Sequence, residues 1–535
     1  MKIALAQLDY KIGDFADNKA KIANAIAKAK TDGADLVVFS ELSVSGSFPF
    51  DLLKRDEFLS QCKQTVGEIA EYCTGISAIV GAPVQAGDEL YNAAYLLCDG
   101  KIDDCVFKMQ ISDSDSIDEQ RYFNANMLWE PFEIGEENVA VFVGRDLLNA
   151  VSDEILDRMS ESKPSVVIDI AALPFAHNRE ITNEMQTAAA ALQFNTPAIL
   201  LNQVGANAEL IYDGASCVID AEGNTVKRLA SFAEDFAIVD TDELKAGHYL
   251  PLQPADDDYV AQIHDALVLG LRDYFAKMGF KAATLGLSGG IDSAVVVALA
   301  VEALGSGSVR VLLMPSKYSS DHSVNDAVVL AENLHIQYDT IAIQPIVDAF
   351  GTALSDVFAG TQPNVTEENL QARARGTLMM ALSNKFGNML LNTSNKSEAS
   401  VGYGTLYGDL CGGLSVLGDV YKTDVYKLAR YINRNGEIIP ENSITKAPSA
   451  ELRPDQKDTD SLPEYSVLDA VLSKYMEHGM TIEQIVAEGF DETIVTKAVS
   501  MLNRNDYKRF QCPPILRVTT KAFGSDWRMP LVAKR

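Results

Sequence analysis

No stretch of this sequence approaches the ~20 consecutive apolar residues of a membrane-spanning helix, so no membrane partner is expected. A secretory leader is not expected either, because Met1-Lys2-Ile3-Ala4-Leu5-Ala6-Gln7-Leu8 is too short in its apolar part and reads as a first strand. Cysteine is sparse, with seven at irregular spacing; an odd number does not make a disulfide framework and fits a reducing cytoplasm. Positive charge is short as well. Forty-five Lys and Arg against 75 Asp and Glu leave a formal charge of −30, the opposite of the basic face a nucleic-acid partner needs. Any site for an anionic substrate must therefore be locally basic against the general field. The six histidines (His177, His248, His264, His322, His335 and His478) show no ligand spacing, which argues against a zinc site.

What is present is ordinary in bulk: 535 residues, 47% hydrophobic and 22% charged, enough for two or more domains with their own cores. Apolar periodicity alternates strand and helix through the first half. Strands are predicted at 3–8, 35–40, 78–81, 93–97, 139–143, 166–170 and 198–202, with a helix at 18–30. Residues 216–219 and 225–229 flank Glu222-Gly223-Asn224, a hairpin signal. Residues 244–258, with Pro251, Pro254 and three successive aspartates, have linker composition. The expected domains are thus 1–243 and 259–535 around that linker, the second opening near Tyr259 as another alternating α/β region.

The most informative stretch is Ser288-Gly289-Gly290-Ile291-Asp292-Ser293. It follows the apolar run Ala283-Thr284-Leu285-Gly286-Leu287 and leads into Ala294-Val295-Val296-Val297. Strand, glycine turn and helix in that order aim bare backbone N–H groups and a positive helix end at an anion. The two glycines admit phosphate close to the backbone, and Ser288 and Ser293 add hydroxyl donors. Asp292 is repelled by phosphate unless a cation lies between, and magnesium is the natural choice. The lysine of an ordinary P-loop is missing, which excludes that class of ATPase.

Two further strands, at 309–314 and 388–392, end in Pro315-Ser316-Lys317-Tyr318 and in Thr393-Ser394-Asn395-Lys396-Ser397-Glu398. In an open parallel sheet ligands gather at the carboxyl ends of strands, so these turns are expected to meet the glycine loop. Asp292 and Glu398 would then supply magnesium with two carboxylates, and Lys396 would meet phosphate. Taken alone, Asn-Lys-Ser-Glu reads first as a polar helix cap.

Here the sequence resembles a family. Thr366-Glu367-Glu368-Asn369-Leu370-Gln371-Ala372-Arg373-Ala374-Arg375-Gly376, residues 392–398, Gly402-Tyr403-Gly404-Thr405-Leu406-Tyr407-Gly408-Asp409, Asp419-Val420-Tyr421-Lys422-Thr423 and Pro448-Ser449-Ala450-Glu451-Leu452-Arg453-Pro454 are similar to NAD synthetases, as is Tyr507-Lys508-Arg509. The resemblance implies a doubly wound, parallel-sheet ATP pyrophosphatase domain. It also implies a two-step ligation, in which deamido-NAD is adenylated by Mg-ATP with loss of pyrophosphate and ammonia then displaces AMP. By motif, Ser288, Gly289, Gly290, Ile291, Asp292, Ser293 and Thr393 fall to ATP, and Asn369, Glu398 and Lys508 to deamido-NAD. Asp292 and Glu398 would be the magnesium ligands, Asp292, Glu398 and Lys396 the catalytic set, and Lys422 a weaker phosphate contact.

The first half resembles the nitrilase-like amidases that feed ammonia to many NAD synthetases, which implies an α-β-β-α sandwich and a Glu-Lys-Cys triad. Glu41, within Phe39-Ser40-Glu41-Leu42, and Lys108, nine residues before Ile117-Asp118-Glu119-Gln120-Arg121-Tyr122-Phe123, fall where the family glutamate and lysine lie. The cysteine should follow the strand at 139–143, but the sequence reads Val143-Gly144-Arg145-Asp146. Gly144 cannot attack anything. The family's Leu-Pro-Asn-Tyr is here Ile111-Ser112-Asp113-Ser114, and the serine of its Ala-Ser-Pro-Phe is Leu173. Cys98, Cys105 and Cys217 read as structural. The expectation is a synthetase fed by free ammonia, with the degenerate amidase domain kept as scaffold in a homo-oligomer. The alternatives are glutamine use through a relocated thiol or a partner glutaminase, and a non-catalytic nucleotide-binding sensor.

Overall fold

The computed structural model describes residues 1–111, 116–147, 153–254 and 258–532. Its contacts divide the chain into two units, Met1–Asp257 and Asp258–Arg535.

In the first unit the described residues form two six-stranded sheets. One runs Asp235–Asp240, Lys2–Gln7, Leu36–Val38, Ser77–Ala86, Glu89–Cys98 and Lys101–Phe107 from edge to edge. The other runs Thr225–Arg228, Cys217–Ile219, Ala198–Asn202, Val166–Ala171, Glu137–Val143 and Phe132–Ile134. Strand period two sorts the side chains between layers. Ile3 and Leu5 join Val141, Ile168 and Ile199 between the sheets. Ala4 and Ala6 face the other way, against Ile22 and Ile26 of helix Phe15–Thr31 and Val66 and Ile69 of helix Asp56–Ala70. Helix Arg179–Phe194 packs on the second sheet. This is the expected α-β-β-α sandwich. The hairpin at Glu222-Gly223-Asn224 is also present, Cys217–Ile219 pairing antiparallel with Thr225–Arg228.

Most of the stretch with linker composition is tied to this unit. Helix Thr241–Lys245 begins it, the Leu252 amide donates to the Thr225 carbonyl at 2.7 Å, and Arg228 donates to the Gln253 carbonyl at 2.7 Å. Residues 255–257 lie outside the described residues.

The second unit holds a parallel sheet in the spatial order Gln337–Thr340, Val309–Leu313, Ala283–Gly286, Met389–Asn392, Leu414–Ser415. Counting from the unit's first strand this is order 3-2-1-4-5, so the winding reverses between Ala283–Gly286 and Met389–Asn392. A crevice opens at the carboxyl ends of such a pair. A helical cluster closes the chain, with Leu468, Leu472, Val495 and Leu502 at its centre. Among the described residues no helix is long and apolar enough to cross a membrane.

Candidate active site

The glycine loop leaves the sheet at that reversal and enters helix Ile291–Leu304. Gly289 has φ +79°, and a Cβ there would lie 2.1 Å from the Ser323 carbonyl oxygen, so both backbone and space demand glycine. The hydroxyls organise the turn: Ser293 Oγ donates to the Gly290 carbonyl at 3.0 Å, and Ser288 Oγ accepts from the Gly290 amide at 3.2 Å. The loop lines a cavity of about 300 Å³ together with Thr393, Ser394, Glu398 and Lys422. Both strand ends predicted to converge do so.

Carboxylates and cations alternate in this crevice. Asp292 accepts from Asn395 Nδ2 at 2.9 Å and from Lys422 Nζ at 2.5 Å. Lys422 Nζ also stands 3.5 Å from Glu398 Oε1. Burial, and then the charge of Asp292, push the Glu398 carboxyl up to about 8. Burial opposes the charge on Lys422, but Asp292 and Glu398 outweigh it and hold the ammonium firmly protonated. Among the described residues no group of three or more His, Cys, Asp or Glu side chains is arranged to hold a metal. Two carboxylates beside a phosphate-sized cavity nonetheless suit magnesium, which commonly takes one or two carboxylates and completes its shell with water and substrate phosphate.

Lys396 is the clear correction. It begins helix Lys396–Val401, yet its side chain turns away from the cavity and is fully buried. Its Nζ sits 2.9 Å from Asp419 Oδ1 and 2.8 Å from Glu477 Oε1, and donates to Thr519 Oγ1 at 2.8 Å. A buried ammonium needs such partners, and they lie under the helical cluster rather than at the phosphates. Asn369 and Lys508 meet on one loop. Asn369 Oδ1 accepts from Thr405 Oγ1 at 2.8 Å, while Lys508 Nζ donates to the carbonyls of Gly402 and Gly404 at 2.7 and 2.9 Å.

Sequence reasoning gave no role to Arg375, Lys446 and Asp458, which also line the cavity. Arg375 and Lys446, both held below their ordinary range by burial, join Lys422 as the cations of the wall against Asp292, Glu398, Asp409, Glu451 and Asp458, so the described lining is not the locally basic site expected from the sequence. Arg375 lies in a motif run already quoted, and position in that run was the available signal. Lys446 has no comparable mark.

In the first unit Glu41 and Lys108 form a buried ion pair at 2.8 Å. Glu41 Oε1 also accepts from Asn92 Nδ2 at 2.7 Å, and its Oε2 from the Ala172 amide at 2.9 Å. Glu119, unassigned from sequence, is the second anion on Lys108 at 2.8 Å. Gly144 lies against this cluster with φ +73°, and a Cβ on it would be 2.4 Å from Lys108 Nζ and 3.0 Å from Glu41 Oε1. Asp146 accepts from the amides of Met109 and Gln110, both at 2.8 Å, and burial pushes it up to about 7. Leu173 donates its amide to Asn202 Oδ1 at 2.9 Å. Ser112, Asp113 and Ser114 lie outside the described residues. Burial pushes the thiols of Cys62, Cys73 and Cys217 up to about 12, against the thiolate a nucleophile needs.

An α-β-β-α sandwich followed by a doubly wound parallel sheet with a glycine loop at its reversal defines a two-domain α/β protein, and comparison with known proteins gives the family. Residues 2–247 match the carbon-nitrogen hydrolase model, and residues 263–512 match NAD synthase. The glutamine-dependent NAD(+) synthetase of Synechocystis sp. is 40% identical, the match covering 99% of this chain and 98% of that one. Its counterpart from Thermotoga maritima is 37% identical at the same coverage of both chains. The glutamine-dependent NAD+ synthetase of Acinetobacter baumannii, solved in complex with ADP, superposes with TM-score 0.80 at 36% identity over 99% of this chain and 98% of that one. The chain belongs to the NAD synthetase family, in its two-domain form, and is a ligase. These relatives are named for glutamine, which weighs against the ammonia-only expectation.

Proposed function

We propose that this chain amidates deamido-NAD to NAD at the expense of Mg-ATP, through an adenylate, with release of pyrophosphate and then AMP. The observation that carries the reading is the convergence of the Ser288–Ser293 loop, Asp292, Glu398 and Lys422 on one cavity. Loop amides and the start of helix Ile291–Leu304 would take the phosphates, and Asp292 and Glu398 would hold magnesium. The metal would neutralise charge on the leaving pyrophosphate. Positioning and electrostatics, without a covalent protein intermediate, supply the rest. Asn369 and Lys508 are assigned to deamido-NAD by the family resemblance; both hydrogen-bond within residues 402–405, and neither is among the residues lining the cavity.

Ammonia is the group that displaces AMP, and its source separates two readings. The relatives favour glutamine. Gly144 favours ammonia made elsewhere, because the buried Glu41–Lys108–Glu119 cluster faces a residue with no nucleophile. Both observations are met if glutamine is hydrolysed by a separate glutaminase and the first unit is a scaffold; free ammonia from solution meets only the second. Glutamine hydrolysis by another thiol of the chain is the competing reading. Pairing of copies in the cytoplasm is part of the proposal and is checked by sedimentation.

The test is NAD formation from deamido-NAD and Mg-ATP by purified protein, with ammonium compared against ammonia-free glutamine. Turnover with ammonium alone supports both the synthetase and the silent first unit. Equal turnover with glutamine, with glutamate released, replaces the scaffold reading by a relocated thiol. No NAD from either donor leaves a nucleotide-binding protein.

A further inference from the structure

Lys422 occupies an unusual place for a phosphate-binding lysine. Its Nζ is already spent on the two carboxylates assigned above to magnesium, 2.5 Å from Asp292 Oδ2 and 3.5 Å from Glu398 Oε1. The side chain is buried, with 3% of its surface exposed, and the ammonium also faces the Tyr465 ring at 5.4 Å. Its backbone is fixed at the first residue of helix Lys422–Ile432, where its amide donates to Ser397 Oγ at 2.8 Å. Backbone position is therefore set, and what remains free is the swing of a four-carbon side chain that lines the cavity of the glycine loop.

An ammonium and a magnesium ion want the same carboxylate lone pairs, and two cations that close repel each other. Lys422 holds one oxygen of each carboxylate, so a metal that takes those oxygens must displace it or sit beside it against charge repulsion. We propose that Lys422 is a resident cation that excludes free divalent metal from Asp292 and Glu398, and yields the pair only when nucleotide phosphate in the cavity draws its Nζ away. The phosphates give Lys422 a replacement anion and give the metal its missing ligands, so neither cation is left without an anionic partner. Metal and nucleotide then bind with positive coupling. By linkage, each tightens the other by the same factor. The inference rests on the synthetase reading only for the identity of the nucleotide.

The experiment measures binding of Mn²⁺, as a probe for magnesium, to the full chain by the paramagnetic resonance signal of the free ion. It is run with and without α,β-methylene-ATP. Wild type should bind Mn²⁺ weakly alone and much more tightly with the analogue. Lys422→Met and Lys422→Gln should bind Mn²⁺ at least tenfold more tightly than wild type without nucleotide, and the gain from the analogue should shrink by a similar factor. Unchanged or weaker Mn²⁺ binding in neutral variants that keep the wild-type melting temperature would overturn the competition. Lys422→Arg keeps the charge and guards against unfolding of the neutral variants. It should bind Mn²⁺ alone no more tightly than wild type, and a tightening there would equally overturn the idea. Failure to make NAD from either nitrogen donor, with the manganese result as expected, would remove the synthetase reading and leave the cation exchange standing.

Discussion

Restoring a thiol at position 144 tests whether the first unit's site has merely lost an atom or has closed over the loss. In Gly144→Cys the new Cβ would start 2.4 Å from Lys108 Nζ and 2.7 Å from its Cε. Ordinary contact needs about 1 Å more, and Lys108 must supply it while held by Glu41 and Glu119, each at 2.8 Å. Weakening hydrogen bonds between charged groups costs about 1.5–3 kcal/mol. The left-handed backbone at φ +73° costs a non-glycine residue a further ~1–2 kcal/mol. Together these give about 2.5–5 kcal/mol, or a fall of roughly 5–20 °C in the melting transition of a unit of this size. The assay pairs calorimetry with glutamate release from glutamine. We expect the lower transition, no glutamate, and full NAD synthesis from ammonium. Gly144→Ala, which adds the same Cβ without sulfur, should melt with the cysteine variant. A cysteine variant that melts like wild type and hydrolyses glutamine would refute the reading that the site has closed over the loss.

Two further outcomes follow from buried charge in the second unit. Lys396→Met leaves Asp419 and Glu477 facing each other without their cation, and should destabilise by about 3–5 kcal/mol while the KM for ATP stays at the wild-type value in protein assayed below its transition. A large rise in KM without loss of stability would return Lys396 to the phosphates. His264 is buried, which opposes its charge, yet hydrogen bonds to Asp265 and Glu302 lift it to about 9. A raised histidine contributes stability that is complete below its unfolded value near 6.5 and is lost as pH climbs through 9. Both carboxylates are half exposed and screened, so the expected loss over that window is only ~1 kcal/mol. It should be absent in His264→Gln, as read from denaturant midpoints at pH 6 and 9.

The elements that the sequence disclosed are those in which local pattern and burial agree. Ala198–Asn202 is a continuous apolar run and is a buried strand over those same residues. The glycine loop was legible because φ and crowding leave only glycine at 289. Sequence gave no warning of Glu119, since its partner Lys108 is eleven residues away on another segment and the contact is made by the fold. Arg375 and Lys446 share that difficulty, because a cavity wall is assembled from segments that sequence order keeps apart.

Three lysines show where the limit lies. Lys108, Lys396 and Lys422 are each buried, with 5%, 0% and 3% of the side chain exposed, and each sits between two carboxylates. Proximity to a motif gave all three a part in chemistry, and pairing alone does not separate them, because any lysine taken from water must be paired. What separates them is the space beyond the ammonium. Lys396 faces packed helices and Thr519, so nothing can replace its partners. Lys108 faces Gly144, where the one atom that would use it is missing. Lys422 alone of the three borders the cavity of the glycine loop, so it alone has room for the proposed exchange of carboxylate for phosphate. A buried ion pair becomes machinery when a third charged group can reach it, and that access is a property of the folded crevice rather than of any segment of sequence.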